Sequence, residues 1–260
     1  MIIIILITII IIIFFFYINT KINYSEHFTQ NILFINNNDL LQILQDDSDN
    51  YYKSFFKNDF TARNINNIND YINLIKLSTS EYNNDERNKI TKCINEINDI
   101  FNNINNINKE FKWFDSKKAN GIPWKIGCIK GKLYENGLPH TRNDIIIISK
   151  DNINDFSHEK LLKTLIHEKV HVYQKLYPDD VKIYIDNNNF YKIKQKEEHD
   201  NIRSNPDLDN WIYKDDKNNI YKAIYNENPS SIEDIVYSPV NNQSHEHPFE
   251  KMAIEIENDI

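Results

Sequence analysis

Ser157–Tyr177 reads SHEKLLKTLIHEKVHVYQKLY, and its spacing predicts a single amphipathic helix. Leu162, Leu165, Ile166, Val170, Tyr173 and Leu176 recur mostly three and four residues apart, giving a broad apolar stripe. Ser157 suits the N-cap, Glu159 lies in the first turn, and Pro178 stops the helix just past its end. Inside it lies His167-Glu168-Lys169-Val170-His171. Side chains four apart on a helix sit one turn above each other, so both imidazoles point the same way. Two neutral imidazole nitrogens on one face can take two corners of a tetrahedral zinc site and leave room for another ligand and a water. Glu168 is turned about 100° from His167 and about 60° from His171, close enough to reach that water without binding the metal.

These five residues resemble the HExxH signature of the zincin metallopeptidases. The resemblance implies that His167 and His171 bind Zn2+, that Glu168 is the general base on the zinc-bound water, and that the substrate is a peptide or protein. Thr164, Leu165, Val170, Val172 and Tyr173 fit the uncharged and apolar surroundings of the motif, and Lys169 departs from them. The plain structural alternative is a surface helix with two packed or solvated histidines. The metzincin branch extends the motif with a glycine and a third histidine where this chain has Gln174 and Tyr177, which excludes that branch.

What remains is similar to the gluzincin branch, whose third ligand is a glutamate on a later helix. His247–Asn258 (HPFEKMAIEIEN) predicts such a helix, with Pro248 at its first position and Phe249, Met252, Ala253 and Ile256 as the buried stripe. Glu250 lies beside that stripe, three residues before Ala253. Glu-x-x-Ala resembles the third-ligand helix of gluzincin-like families, which implies the metal set His167, His171 and Glu250. His245, Glu246, His247 and Glu255 compete for the role, as do Glu197 and Glu198 in a lysine-rich run. Without a metal, Glu250 is simply an acid favoured in a first turn by the helix dipole.

Upstream, Trp124–Tyr134 (WKIGCIKGKLY) and Asp144–Ser149 (DIIIIS) read as strands joined by Glu135–Arg142. A strand delivered just before the active helix resembles the zincin N-terminal subdomain. In that fold an edge strand lies along the cleft and pairs with an extended substrate backbone. His140 and Arg142 flank the connection and are candidates to line such a cleft. Downstream, Trp211–Tyr213 and Ile220–Tyr225 predict a hairpin. Tyr213, Tyr225, Tyr237 and His199 are candidates for a transition-state hydrogen-bond donor, with no ground in the sequence for choosing among them.

Met1–Ile18 is an uncharged apolar run whose helical length of about 27 Å is just enough to cross a bilayer core. An uncleaved N-terminal anchor over 1–20 is the favoured reading, a cleaved signal the other, because neither a preceding base nor a small-residue cleavage pattern is present. Over 21–112, isoleucines from Ile65 to Ile75 and from Ile90 to Ile107 repeat at helical spacing on either side of the polar Ser78–Arg87, which predicts an antiparallel helical hairpin. The Asn-Ile repeats also suit low-complexity sequence. Every glycine and two of the three tryptophans fall between Trp113 and Gly137, placing a domain start near 113.

The expected fold class is α+β: a zincin-like catalytic domain over 113–260, a mostly helical region over 21–112, and a single-pass N-terminal transmembrane helix. A net charge of −8 argues against a nucleic-acid partner. Two cysteines, Cys93 and Cys128, are too few for a disulfide scaffold and read most simply as reduced thiols. The expected function is a membrane-anchored Zn2+-dependent metallopeptidase, on a side of the membrane that a lone Lys21 barely determines. The alternative is a catalytically inactive zincin-like membrane protein with a binding or structural role. Glu168 between the two histidines favours the enzyme, since a structural zinc has no use for it.

Overall fold

A strand made of Ile145, Ile146, Ile147 and Ile148 has no polar face, so it is stable only where helices cover both sides of its sheet. In the computed structural model, which describes residues 32–103, 113–239 and 245–259, both sides are covered. The chain begins with β1 (Ile32–Phe34), α1 (Asn37–Asp46), α2 (Lys57–Ala62), α3 (Ile68–Ser78), β2 (Thr79–Ser80) and α4 (Asn84–Asn103). It continues through α5 (Ser116–Gly121), β3 (Trp124–Ile129), β4 (His140–Arg142), β5 (Ile145–Ser149), α6 (Lys150–Asp155), α7 (His158–Leu176) and α8 (Pro178–Asn187). Then come β6 (Tyr191–Gln195), β7 (Trp211–Lys214), β8 (Ile220–Tyr225), β9 (Ile235–Ser238) and α9 (Pro248–Asp259). The class is α+β.

The first sheet has the order β1-β3-β5-β4, with β2 on β3 beyond the end of β1. Strands β1, β3 and β5 are parallel, and β2 and β4 are antiparallel to their neighbours. Alternate residues divide between the faces. Trp124, Ile126, Cys128, Ile146 and Ile148 join Ile90, Ile94, Ile97 and Phe101 of α4 and Leu161 and Leu165 of α7 in one core. Ile129, Ile145 and Ile147 join Leu40 and Leu44 of α1 and Tyr71 and Ile75 of α3 in the other. Gly127 lets α1 approach β3, because a Cβ there would meet Leu40 Cδ1 at 2.8 Å. The second sheet is the antiparallel meander β6-β7-β8-β9, which contains the expected β7–β8 hairpin.

The expected hairpin of the isoleucine-rich helices does not form. Helices α3 and α4 bury their stripes on opposite faces of the first sheet, and β2 carries the chain round its edge. An isoleucine stripe asks only for an apolar surface, and a sheet face satisfies it as well as another helix does. Across the expected start near 113, β1 and β2 belong to the same sheet as β3, and α4 shares a core with α7. Strand β3 ends at Ile129, earlier than expected, and the supposed connection Glu135–Arg142 holds β4. Three successive left-handed residues, Glu135 (φ 45°), Asn136 (φ 53°) and Gly137 (φ 71°), reverse the chain before it. Cys93 and Cys128 are free and buried. The expected anchor over 1–20 lies outside the described residues; among those described, no helix is long and apolar enough to cross a membrane.

Candidate metal centre

Helix α7 starts where expected, with the Ser157 hydroxyl accepting a hydrogen bond from Lys160 N at 3.2 Å. It is not a surface helix with one apolar stripe. From Leu165 to Gln174 every side chain but that of His167 is buried, whereas Leu176, an expected stripe member, is 47% exposed. The first sheet, α4 and α9 together surround it. Lys169, the residue that fits the motif least, is buried too. Its ammonium donates to Ile122 O at 2.6 Å and lies 4.2 Å from the centre of the Trp124 ring, and burial pushes its pKa down to about 7.

Helix α9 packs against α7 through the buried Met252, Ala253 and Ile256, with the small Ala253 at the interface. This contact brings Glu250 to the two histidines. His167 Nε2 and His171 Nε2 are 3.0 Å apart, and Glu250 Oε2 lies 3.4 Å from the first and 3.8 Å from the second. Three points with these separations lie on a circle of about 2.0 Å radius, the length of a zinc–imidazole or zinc–carboxylate bond. The donor set therefore fits a zinc ion.

The outer hydrogen bonds orient the imidazoles for such an ion. Gln174 Nε2 donates to Phe249 O at 2.9 Å, which turns Gln174 Oε1 toward His171 Nδ1, also at 2.9 Å. A carbonyl oxygen accepts, so Nδ1 carries the proton and Nε2 keeps its lone pair. Glu257 Oε2 accepts from His167 Nδ1 at 3.0 Å. One turn of α9 beyond Ala253, Glu257 is thus placed against His167. Asn205 Nδ2 donates to Glu250 Oε1 at 3.0 Å and fixes the other carboxylate oxygen. Burial opposes charge on Glu250, but His171 and His167 hold its pKa well below the usual carboxylate range. Burial also opposes charge on His167, and there Glu250 and Glu257 outweigh it and raise its pKa. His171 is pushed down by burial.

Glu168 is 4% exposed, and its Oε2 has no hydrogen-bond partner. Burial, reinforced by the charges of Asp207 and Glu250, holds its carboxyl well above the usual range. With His167 and Glu250 it walls a cavity of 420 Å³, bounded also by His140, Arg203, Asn205 and Asp207. Of the two residues expected along the cleft, His140 is there and Arg142 is not. Arg142 is buried in ion pairs with Asp47 at 2.7 Å and Asp49 at 2.6 Å, tying β4 to the end of α1. Tyr213, Tyr225, Tyr237 and His199 are all absent from the cavity wall. Tyr213 donates to Asp209, Tyr225 is held by Arg63 and Asp59, and His199 is 76% exposed beside Glu197.

Three of the rival ligands are engaged elsewhere. His247 bonds Asp209, Glu246 pairs with Arg203, and Glu255 pairs with Lys251. Glu197 lies with His199 and Asp200 in a second group spaced for a cation, which is largely solvent-exposed. Asn205, Gln174, Asp207 and Arg203 escaped the sequence reading. Gln174 alone had a signal, three residues past His171 on the same helix face.

The outer edge of β4 is occupied. Thr141 N and Oγ1 both donate to Asp207 Oδ1, at 2.7 and 2.6 Å, and Lys175 Nζ donates to Thr141 O at 3.0 Å and to Thr141 Oγ1. In comparisons with known proteins, the chain matches no family model, no curated protein and no solved structure.

Proposed function

We propose that this chain is a zinc-dependent metallopeptidase, anchored to a membrane by its first twenty residues, that hydrolyses peptide bonds in a peptide or protein. The observation that carries this reading is the convergence of His167, His171 and Glu250 at bonding distance from one point, next to Glu168, whose buried Oε2 has no hydrogen-bond partner. His167, His171 and Glu250 would hold the ion, with Gln174 and Glu257 fixing the imidazole tautomers and Asn205 fixing the glutamate. A zinc ion held there supplies Lewis acidity, acidifying a water and polarising the scissile carbonyl.

The chain's own residues supply the proton transfer. Glu168 stands in the wall of the cavity beside His167 and Glu250, which suits a group that accepts a proton from the attacking water and returns it to the leaving amine. Burying Glu168 with Oε2 unpartnered has a cost that a purely structural zinc site would not need, and this favours the enzyme over an inactive scaffold. The zincin-like arrangement is supported by an antiparallel edge strand, β4, that starts in the cavity wall at His140.

The test is metal content and hydrolysis measured together on the full-length protein. Wild type should carry one zinc per chain and cleave an unstructured protein in a chelator-sensitive way. Glu168→Gln should keep the zinc and lose activity by a factor on the order of 10²–10⁴. Wild-type protein without stoichiometric metal would rule the proposal out.

A further inference from the structure

The capped edge of β4 lies between two cavities. On one side is the metal cavity, which includes His140 and Asp207. On the other is a cavity of 720 Å³ lined by Lys175, Val181, Ile185, Leu208, Tyr213 and Phe249, which also includes Asp207. Asp207 thus stands in the wall of both.

Strand geometry shows what the cap replaces. Thr141 pairs across from Ile146 in the antiparallel β4–β5 ladder, and both its N–H and its C=O are bonded on the side away from β5. It is therefore a residue whose main-chain groups face outward, and a further strand would bond to them. Its neighbours offer less: Pro139 has no N–H, and Asn143 N donates to Asp49 Oδ2 at 3.3 Å. Asp207 Oδ1 sits where a peptide carbonyl would accept, and Lys175 Nζ where a peptide N–H would donate. No other described segment pairs with that edge.

We propose that Asp207 and Lys175 form an internal cap on β4, displaced when an extended peptide pairs with Thr141. Their displacement joins the two cavities into one groove, and a large apolar side chain of the peptide enters the second. This deepens the peptidase reading and rests on it for the identity of the ligand. The loop that carries Asp207 does not need to leave, because Ser204 N and Oγ stay bonded to Asp59 at 2.9 and 2.8 Å and Asn205 stays on Glu250. Only the Asp207 carboxylate and the Lys175 ammonium swing out.

Amide hydrogen exchange at Thr141 tests the cap without relying on catalysis. The probe is an unstructured decapeptide with one Phe, and a second version has Asp in place of that Phe. In the full-length wild type the Thr141 amide should be protected before peptide is added. In Asp207→Ala it should exchange faster, regain protection with the Phe peptide, and bind that peptide about ten-fold tighter than wild type, the equivalent of one charge-assisted hydrogen bond. Asp207→Asn, which keeps the shape and one acceptor, should fall between the two and covers the case in which the alanine variant does not fold. The Asp-containing peptide should bind more weakly to every form. Equal binding to wild type and variant, binding that leaves Thr141 unprotected, or no binding at all would overturn the cap. Equal affinity for the two peptides would overturn the role of the second cavity. Protection of Thr141 by peptide in a protein that never cleaves would instead uphold the cap and reject the peptidase reading.

Discussion

Glu135→Gln removes one charge from an ion pair buried on both sides, with side chains 3% exposed for Arg63 and 4% for Glu135. Arg63 grips the carboxylate with both edges of its fork, Nε to Oε1 at 2.9 Å and Nη2 to Oε2 at 2.8 Å. The Tyr51 and Tyr71 hydroxyls donate to the same carboxylate at 3.0 and 2.5 Å. Burial alone would raise the Glu135 pKa, but Arg63 more than offsets it and the group is held at about 2, against an ordinary 4.5. That gap is worth on the order of 3 kcal/mol at neutral pH. A depressed folded-state pKa stabilises fully above the unfolded value, so the contribution is complete above pH 4.5 and fades as pH falls toward 2. The variant also leaves the Arg63 guanidinium buried with only Asp59, at 3.5 Å, as counter-charge, and breaking such a pair costs about 3–5 kcal/mol. Urea unfolding followed by tryptophan fluorescence should show the variant about 3 kcal/mol less stable at pH 7, with the difference narrowing between pH 4.5 and pH 3. A variant as stable as wild type at pH 7, or a difference that does not change with pH, would refute the reasoning.

Two further outcomes are expected. Glu257→Ala should weaken zinc affinity about 10- to 100-fold in a competitive chelator titration, the usual effect of losing the partner that orients a ligating histidine, while Glu255→Ala should leave it unchanged. Full-length protein should stay with membranes through high-salt and carbonate washes, because an uninterrupted apolar run such as Met1–Ile18 partitions into lipid far more strongly than peripheral charges hold a protein there; intact, uncleaved chain in the soluble fraction would contradict this.

The sequence by itself determined the local features. Helix α7 and its Ser157 cap, the shared direction of His167 and His171, the Pro248 start of α9 with Glu250 in its first turn, and the β7–β8 hairpin all follow from spacings of a few residues. Such spacings act within one element, where backbone geometry alone sets which side chains meet. The run Ile145–Ile148 also read as a strand, while its burial on both faces came from the packing. The tertiary structure decided everything that depends on which surfaces meet. It placed α3 and α4 on opposite faces of a sheet, because an apolar stripe specifies burial and not a partner. It brought Glu257 to His167 and Asn205 to Glu250, took Arg142 away into ion pairs with Asp47 and Asp49, and set Asp207 on the edge of β4. Polar side chains such as these carry no periodicity of their own; their partners lie tens of residues away and are chosen only when the packed helices and strands bring donors within reach of acceptors.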